Sequence, residues 1–363
     1  NEGMTISHEA LQNLYTDANF KVICANVFDE KGYLPNHITS SYIKEIEGSR
    51  ILFMAATAPF TPFYRALDWV VTDPLAAIKD EIEAHKGQFD ILIVMSHVGV
   101  FFDEKLCQEI PEIDVIFGSH THHYFENGEF NNGVLMAAAG KYGHFLGEVN
   151  LTIEHGKVSD KKAKLHPLDA LPQVETHFEE EGKALLSEPV IDHHVKLLKK
   201  TDVITETSYL LAESVYEFTH ADCALVNAGL IVNSIEADKV TEYDIHRMLP
   251  HPINLVRVRL TGDELIKVIQ KSQKQEYMHE HAQGLGFRGD IFGGYILYNL
   301  GFIESENRYF INGEEIQTDH QYTLGTVDMY TFGRYFPILK GLPTDYIMPE
   351  FLRDIFKEKL LRF

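Results

Sequence analysis

The chain has 363 residues, enough for two domains or one large one, and its 45% of hydrophobic residues can form a sizeable core. The net charge of −22 at pH 7 argues against a protein that binds duplex nucleic acid, which needs a basic surface. No apolar run approaches the roughly 18–20 residues of a membrane-spanning helix. The dispersed cysteines Cys24, Cys107 and Cys223 form no disulfide framework, so we expect free thiols and a cytoplasmic location.

The first half of the chain alternates predicted strands with helical segments. Apolar runs predict strands at 20–26, 50–55, 90–95, 113–117, 133–140 and 147–153. Asp73 and Pro74 predict the start of a helix that ends near His85, with Asp as the N-cap and Pro at the first position. This alternation predicts a layered α/β domain over residues 1–166.

The character of the sequence changes between 167 and 200. Residues 174–186 are charged and rich in Glu, which predicts a linker helix between domains. A second α/β unit follows over 201–363. Its predicted elements are a helix at 209–218, strands at 221–226 and 255–260, a helix capped by Thr241, and a basic amphipathic helix at 349–361.

Three histidines follow two successive predicted strands of the first domain. His97 comes directly after one strand, and His120 and His122 follow the next. Residues two apart in an extended segment point the same way, so His120 and His122 are expected to face one point, with His123 pointing away. Sites in open α/β sheets lie at the carboxyl edge, and neutral imidazole binds Zn, Mn or Fe. The pattern predicts a metal-dependent hydrolase, although a single such His is more often a polar loop residue.

These phrases, with others in the same order, resemble the 5′-nucleotidase family of binuclear metallophosphoesterases. The matching segments are 24–27 (CANV), 96–99 (SHVG), 113–122 (IDVIFGSHTH), 139–143 (AGKYG), 226–229 (VNAG) and 260–265 (LTGDEL). The resemblance covers essentially the full length. It implies an α/β fold in which a calcineurin-like metallophosphoesterase sandwich, lacking its first motifs here, precedes a separate α/β substrate-binding domain.

The resemblance also implies two divalent metal ions that bind a phosphate ester and a bridging water. Carried over, His97 and His120 are ligands of one ion and His122 is a ligand of the other. Imidazole ligands suit Mn, Zn or Fe better than Mg or Ca. The implied partner is a small phosphoester, such as a nucleotide or a 2′,3′-cyclic nucleotide. No nucleic-acid duplex, membrane or protein partner is indicated.

The sequence departs from the family pattern at its start. The family's Asp-x-His and metal-bridging Gly-Asp phrases are not found, and Asn1-Glu2 resembles the end of the Gly-Asn-His-Glu phrase. Asn1 then occupies the catalytic His position or, if one residue is deleted, is itself a ligand. We therefore expect a fragment that binds metal poorly on its own. The alternative is a relative that binds a nucleotide or phosphate without turnover, because Asn cannot protonate a leaving group.

The second domain departs from the pattern too. The family's Asn-x-Gly-Gly-x-Arg phrase begins here with Asn227 and Gly229, but Val232 replaces the substrate-binding Arg. Arg334 is the candidate to replace that Arg as an anion contact. The family holds a nucleobase between two aromatic rings. Candidates for these rings are Phe292 or Tyr295 and Tyr330 or Phe332, and the alternative for all of them is an ordinary core position.

Two further histidine phrases are predicted to be solvated rather than functional. Asp192-His193-His194 resembles the central phrase of the DHH phosphoesterases, but the other motifs of that family are not found, so we expect an exposed helix start. Residues 279–281 (HEH) lie in a polar stretch and are expected to be exposed.

Overall fold

The computed structural model of the chain describes residues 4–172, 177–279, 281 and 286–362. They form two compact units, Asn1–Glu175 and Thr176–Phe363. The boundary lies inside the segment predicted as a linker, and the helix of that segment belongs to the second unit. Within the described ranges, every helix is too short or too polar to cross a bilayer.

The first unit is built around a sheet with helices between its strands. Its helices are α1 (His8–Asn13), α2 (Thr61–Ala66), α3 (Pro74–Ala84) and α4 (Val100–Glu109). Its strands are β1 (Val22–Ile23), β2 (Val27–Asp29), β3 (Ile38–Thr39), β4 (Ser41–Ile46), β5 (Ser49–Thr57), β6 (Trp69–Val71), β7 (Ile91–His97), β8 (Val115–Gly118), β9 (Glu129–Asn131), β10 (Val134–Ala137), β11 (Phe145–Glu154) and β12 (Lys157–Pro167).

The central sheet of this unit has the strand order β4-β5-β7-β8-β10-β9. Strands β5, β7, β8 and β10 are parallel, and β4 and β9 pair antiparallel at the edges. Ile78 of α3 and Leu106 of α4 pack into the core on one face. Val149 and Val158 of the β11–β12 hairpin pack on the other face. The predicted layered α/β class is confirmed, and the carboxyl ends of β7 and β8 lie side by side.

Helix α3 shows how local sequence sets an element here. Asp73 lies in an extended conformation, and its carboxylate accepts the N–H of Ala76 at 2.8 Å. Pro74 takes the first helical position, where no N–H is needed. The helix predicted from this pair of residues is confirmed within one residue at its end.

The second unit contains a mixed sheet with helices packed against it. Its helices are α5 (His177–Leu186), α6 (Glu206–Thr219), α7 (Glu242–Met248), α8 (Gly262–Ser272), α9 (Gln275–Met278) and α10 (Leu352–Leu360). Its strands are β13 (Pro189–Ile191), β14 (Val195–Leu197), β15 (Cys223–Asn227), β16 (Ile235–Ala237), β17 (Val240–Thr241), β18 (Asn254–Thr261), β19 (Tyr295–Tyr298), β20 (Leu300–Ile303), β21 (Arg308–Ile311), β22 (Glu314–Glu315), β23 (Gln321–Val327) and β24 (Thr344–Phe351). The main sheet has the order β19-β15-β23-β18-β24, in which only β15 and β23 are parallel.

Three predicted elements need correction, two in this unit and one in the first. The helix expected at 349–361 begins only at Leu352, because the residues before it belong to β24, which pairs with β18. The expected helix start at Asp192 is a loop between β13 and β14, where exposed His194 pairs with Asp238 at 2.8 Å. The strand expected at 20–26 in the first unit is only the two-residue β1.

Candidate functional site

Two imidazole rings meet at the carboxyl edge of the sheet in the first unit. His97 is the last residue of β7, and its neighbour Ser96 pairs with Gly118 at the end of β8. Ser119 continues this register, because its N–H donates to the carbonyl of Ser96 at 2.9 Å. The rings of His97 and His120 consequently have their centroids 5.3 Å apart, with planes inclined by 66°.

The segment from His120 to His122 is not extended, which corrects the geometry expected from the sequence. His120 and His122 both have left-handed backbones, with φ of 67° and 54°. The N–H of Thr121 donates to the carbonyl of Ser119 at 2.8 Å, so the chain turns sharply here. His122 is exposed. The pKa of His120 is lowered by the burial of the His120 ring and by the charge of His122. His120 therefore stays neutral at pH 7 and can act as a ligand.

Thr121 ties this loop to the start of α4. Its hydroxyl accepts the N–H of Val100 at 3.1 Å and contacts Nδ1 of His123 at 2.9 Å. The hydroxyl satisfies an N–H that the first turn of a helix leaves without a partner. The loop that carries His120 is therefore fixed at its next residue.

A buried carboxyl lies directly behind this edge, and no sequence pattern had singled it out. Asp103 of α4 is 4% exposed, and a Cβ atom at Gly118 would lie 2.6 Å from its Oδ2. A side chain at position 118 would therefore have to displace this carboxyl. Burial raises the pKa of Asp103 to about 6, an effect that the hydroxyl of Ser96 partly offsets.

The donor chemistry of the two adjacent imidazoles fits a divalent metal ion. Neutral imidazole nitrogens are ligands for Zn, Mn and Fe. In the part of the chain that the structure describes, no group of three or more His, Cys, Asp or Glu side chains is placed to hold an ion. His97 and His120 could supply nitrogen donors to such an ion. Asn1, the predicted catalytic position, lies outside the described residues.

The second unit has a cleft of about 420 Å³ with two cationic side chains. It is lined by Lys199, Thr201, Gly229, Val232, Arg288, Gly289, Asp290 and Ile291. Exposed Lys199 forms no ion pair with any described residue. The guanidinium of Arg288 donates to the carbonyl of Phe287 at 3.3 Å and contacts no described carboxylate. The carboxylate of Asp290 hydrogen-bonds to His281 at 2.9 Å. The cleft offers positive charge to an anion, and neither Lys199 nor Arg288 had been predicted from the sequence.

Buried polar groups hold the two walls of this cleft together. Asn227 donates to the carbonyl of Phe292 at 2.7 Å. A Cβ atom at Gly229 would lie 1.9 Å from the carbonyl oxygen of Ile291, so the backbones approach as closely as glycine allows. His251 donates from Nε2 to the carbonyl of Leu230 at 2.7 Å, and its Nδ1 accepts the N–H of Arg288 at 2.9 Å.

His251 can do this because it is neutral. Its side chain is fully buried and stacks on Phe287, with ring centroids 5.1 Å apart. Burial lowers the pKa of His251 to about 4, so one ring nitrogen donates while the other accepts. The ring therefore joins the turn after Gly229 to the turn that carries Arg288.

The aromatic candidates for base stacking lie in the core or beside it. Phe292 and Tyr330 are fully buried, and the hydroxyl of Tyr330 donates to Asn227 at 2.6 Å. Phe332 is partly buried against the same core. Arg334 is exposed and lies over the ring of Tyr335, and it is not part of the described lining of the cleft. The burial of Phe292 and Tyr330 favours the alternative that they are core aromatics.

Comparison with known proteins places these features in a family. Residues 198–340 match the model of the 5′-nucleotidase C-terminal domain. The chain is 37% identical over 383 residues to the uncharacterized metallophosphoesterase YunD of Bacillus subtilis, and the match spans 99% of this chain and 82% of that protein. The chain belongs to the 5′-nucleotidase family of metallophosphoesterases.

More distant members of the family agree over nearly the whole length. A 5′-nucleotidase of Vibrio vulnificus is 23% identical over 94% of this chain and 72% of its own. The structure of Haemophilus influenzae NAD nucleotidase (NadN) superposes with a TM-score of 0.60 at 16% identity, covering all of this chain and 80% of that one. Family membership supports phosphoester hydrolysis as the general activity and implies divalent metal ions.

Proposed function

We propose that this chain carries the metal-binding edge and the substrate cleft of a hydrolase that acts on nucleotides or related phosphoesters, as a 5′-nucleotidase or a 2′,3′-cyclic phosphodiesterase does. The observation that carries the proposal is the meeting of the His97 and His120 rings where two parallel strands end. Such an edge is where α/β sheets place their sites. The names of the relatives from Vibrio and Haemophilus support a nucleotide as the substrate class.

His97 and His120 would hold the metal through ring nitrogens, and His122 is the proposed ligand of a second ion. Because the donors are imidazoles, we propose Mn, Zn or Fe rather than Mg or Ca. When bound, such cations supply Lewis acidity that lowers the pKa of water and neutralises phosphoryl charge. The left-handed backbones at His120 and His122 fix where these rings lie.

We propose that Lys199 and Arg288 bind the anionic part of the substrate in the second unit. They line one cleft with Gly229 and with Val232, the position where the family pattern has Arg. A guanidinium binds phosphate through paired N–H groups, and its charge-assisted bonds are stronger than neutral ones. This assignment replaces Arg334 as the candidate anion contact.

A second candidate function is ligand binding without turnover. It is favoured by one observation, that the described residues present no complete group of metal ligands.

We also propose a cytoplasmic location, which the free thiols Cys24, Cys107 and Cys223 support.

Hydrolysis of AMP and p-nitrophenyl phosphate by the full-length protein, with Mn²⁺ or Zn²⁺ and with a chelator, tests the proposal. We expect metal-dependent release of phosphate that His120→Asn lowers by about 100-fold or more, since loss of a ligand should exceed the 10–100-fold cost of losing a partner of a ligand. His155→Asn is the matched control, because exposed His155 in the β11–β12 turn has a similar left-handed φ of 53°. AMP binding without phosphate release would favour the second candidate, and equal loss in both variants would contradict the role of His120.

A further inference from the structure

Ser119 lies between the carbonyl of one strand and the ring of a proposed metal ligand. Its hydroxyl oxygen is 2.7 Å from Nδ1 of His97. The same hydroxyl donates to the carbonyl of Ser96 at 3.1 Å, and the N–H of Ser119 donates to that carbonyl at 2.9 Å. The side chain is thus held by its own backbone and by β7.

The number of available protons decides the direction of the contact with His97. A serine hydroxyl has one proton to donate and two lone pairs. If this proton goes to the carbonyl of Ser96, only lone pairs face His97, and Nδ1 must carry the proton that bridges the 2.7 Å contact. The opposite arrangement would leave two oxygen atoms 3.1 Å apart with no proton between them. The first arrangement makes two hydrogen bonds and the second makes one.

We propose that Ser119 is a positioning residue that holds neutral His97 in the Nδ1–H tautomer, so that Nε2 carries the lone pair for a metal ion. Neutral imidazole has a proton on one nitrogen only, and the hydrogen bond at one nitrogen determines the state of the other. The metal as recipient rests on the proposed function, whereas the tautomer is a property of the metal-free protein.

The spatial placement of Ser119 makes this effect local to one ring. Ser119 follows Gly118, which pairs with Ser96, so the hydroxyl and the His97 ring are brought together by the register of β7 and β8. His120, the next residue, turns away from this register with a left-handed backbone. The strand pairing that joins the two imidazoles also places the hydroxyl that selects the tautomer of His97.

Nitrogen NMR of the full, chelator-treated chain labelled with ¹⁵N-histidine measures the tautomer directly. The His97 signal is assigned by its loss in His97→Gln. We expect the Nδ1–H tautomer in the unmodified chain and in Ser119→Thr, which keeps a hydroxyl, and a mixture of tautomers in Ser119→Ala. Ser159→Ala is the matched control, because it removes a hydroxyl that donates to the carbonyl of Thr152 on the β11–β12 hairpin.

Titration of the same proteins with Zn²⁺ alone provides the second readout. Loss of a group that orients a histidine ligand typically weakens metal binding by about 10–100-fold. We expect that loss in Ser119→Ala, recovery in Ser119→Thr, and unchanged affinity in Ser159→Ala. A general structural defect would not shift the tautomer of one ring or be rescued by threonine.

An Nε2–H tautomer of His97 in the unmodified chain overturns the proposal. So does a Ser119→Ala protein whose His97 tautomer and Zn²⁺ affinity both match the unmodified chain. If His97 has the Nδ1–H tautomer and Ser119→Ala loses it, yet no form binds Zn²⁺, the assignment to Ser119 stands and the metal site of the proposed function is contradicted.

Discussion

The substitution Asp103→Asn should stabilise the first unit at neutral and alkaline pH. The Asp103 carboxyl is 4% exposed, and its burial raises the pKa from 3.8 to about 6. A shift of about 2 units corresponds to about 3 kcal/mol of folding free energy lost once the group is ionised. Asparagine has nearly the same shape and no charge, so it removes this cost.

The sign of the pH dependence follows from the direction of the shift. Because the folded pKa is the higher one, the folded protein binds more protons than the unfolded chain between about pH 4 and pH 6. The free energy of unfolding therefore falls as pH rises through that window. The cost of the Asp103 carboxylate is complete above it and absent below pH 4, where both states are protonated.

Urea unfolding followed by tryptophan fluorescence can measure this effect in the first unit alone. The sequence contains a single tryptophan, Trp69, which lies in β6 and is 2% exposed. We expect the free energy of unfolding of Asp103→Asn to exceed that of the unmodified chain by up to about 3 kcal/mol at pH 8. The difference between the two proteins should disappear near pH 4. An equal difference at both pH values would refute the reasoning, because it would show that the carboxyl has an ordinary pKa in the folded state.

Asp90→Asn is a control in which the opposite sign is expected. Hydrogen bonds from Arg50, including one of 2.9 Å, lower the pKa of Asp90 to about 2. A lowered pKa contributes stability above the unfolded value, and this stability is lost as pH falls through the folded pKa. Asp90→Asn should therefore destabilise the first unit at pH 8. Stabilisation by both substitutions would point to a general effect of lowering the negative charge.

Two further predictions concern the second unit. Tyr330→Phe leaves Asn227 without its buried donor, so we expect the free energy of unfolding to fall by about 1–3 kcal/mol, as measured by urea unfolding followed by circular dichroism. Tyr309→Phe is the control, because the hydrogen bonds of its hydroxyl are exposed, and its free energy of unfolding should change by less than about 0.5 kcal/mol. Arg288→Gln should weaken AMP binding in calorimetry by about tenfold or more, because a hydrogen bond to a charged group contributes about 1.5–3 kcal/mol. Arg308→Gln, which removes a guanidinium already paired with Glu315, should leave AMP binding unchanged, and equal losses in both variants would contradict the assignment of the cleft.

The parts of the fold that local sequence determines were predicted well. The cap at Asp73 and the apolar runs of β5 and β7 each contain their own signal, so α3 and these strands were found with nearly correct ends. The placement of His97 and His120 at one edge followed from the rule that parallel strands end together.

The rest depended on contacts between distant residues. Pro349 lies in β24 because that segment pairs with β18, where Asn254 donates to the Pro349 carbonyl at 3.0 Å, a partner 95 positions away. Local sequence also could not show the left-handed backbones of His120 and His122, which replace the expected extended geometry. Local sequence also could not distinguish buried aromatic residues of the second unit from exposed ones.

The close approach of the Gly229 and Ile291 backbones limits which positions of this cleft can change. A methyl group at 229 would lie 1.9 Å from the carbonyl oxygen of Ile291, so any other residue at this position would force the two backbones apart, whatever ligand the cleft binds. Val232, three residues later, lines the cleft but takes no part in this close approach. A change of side chain at 232 can therefore alter the chemistry of the cleft while the close approach of the two backbones is kept.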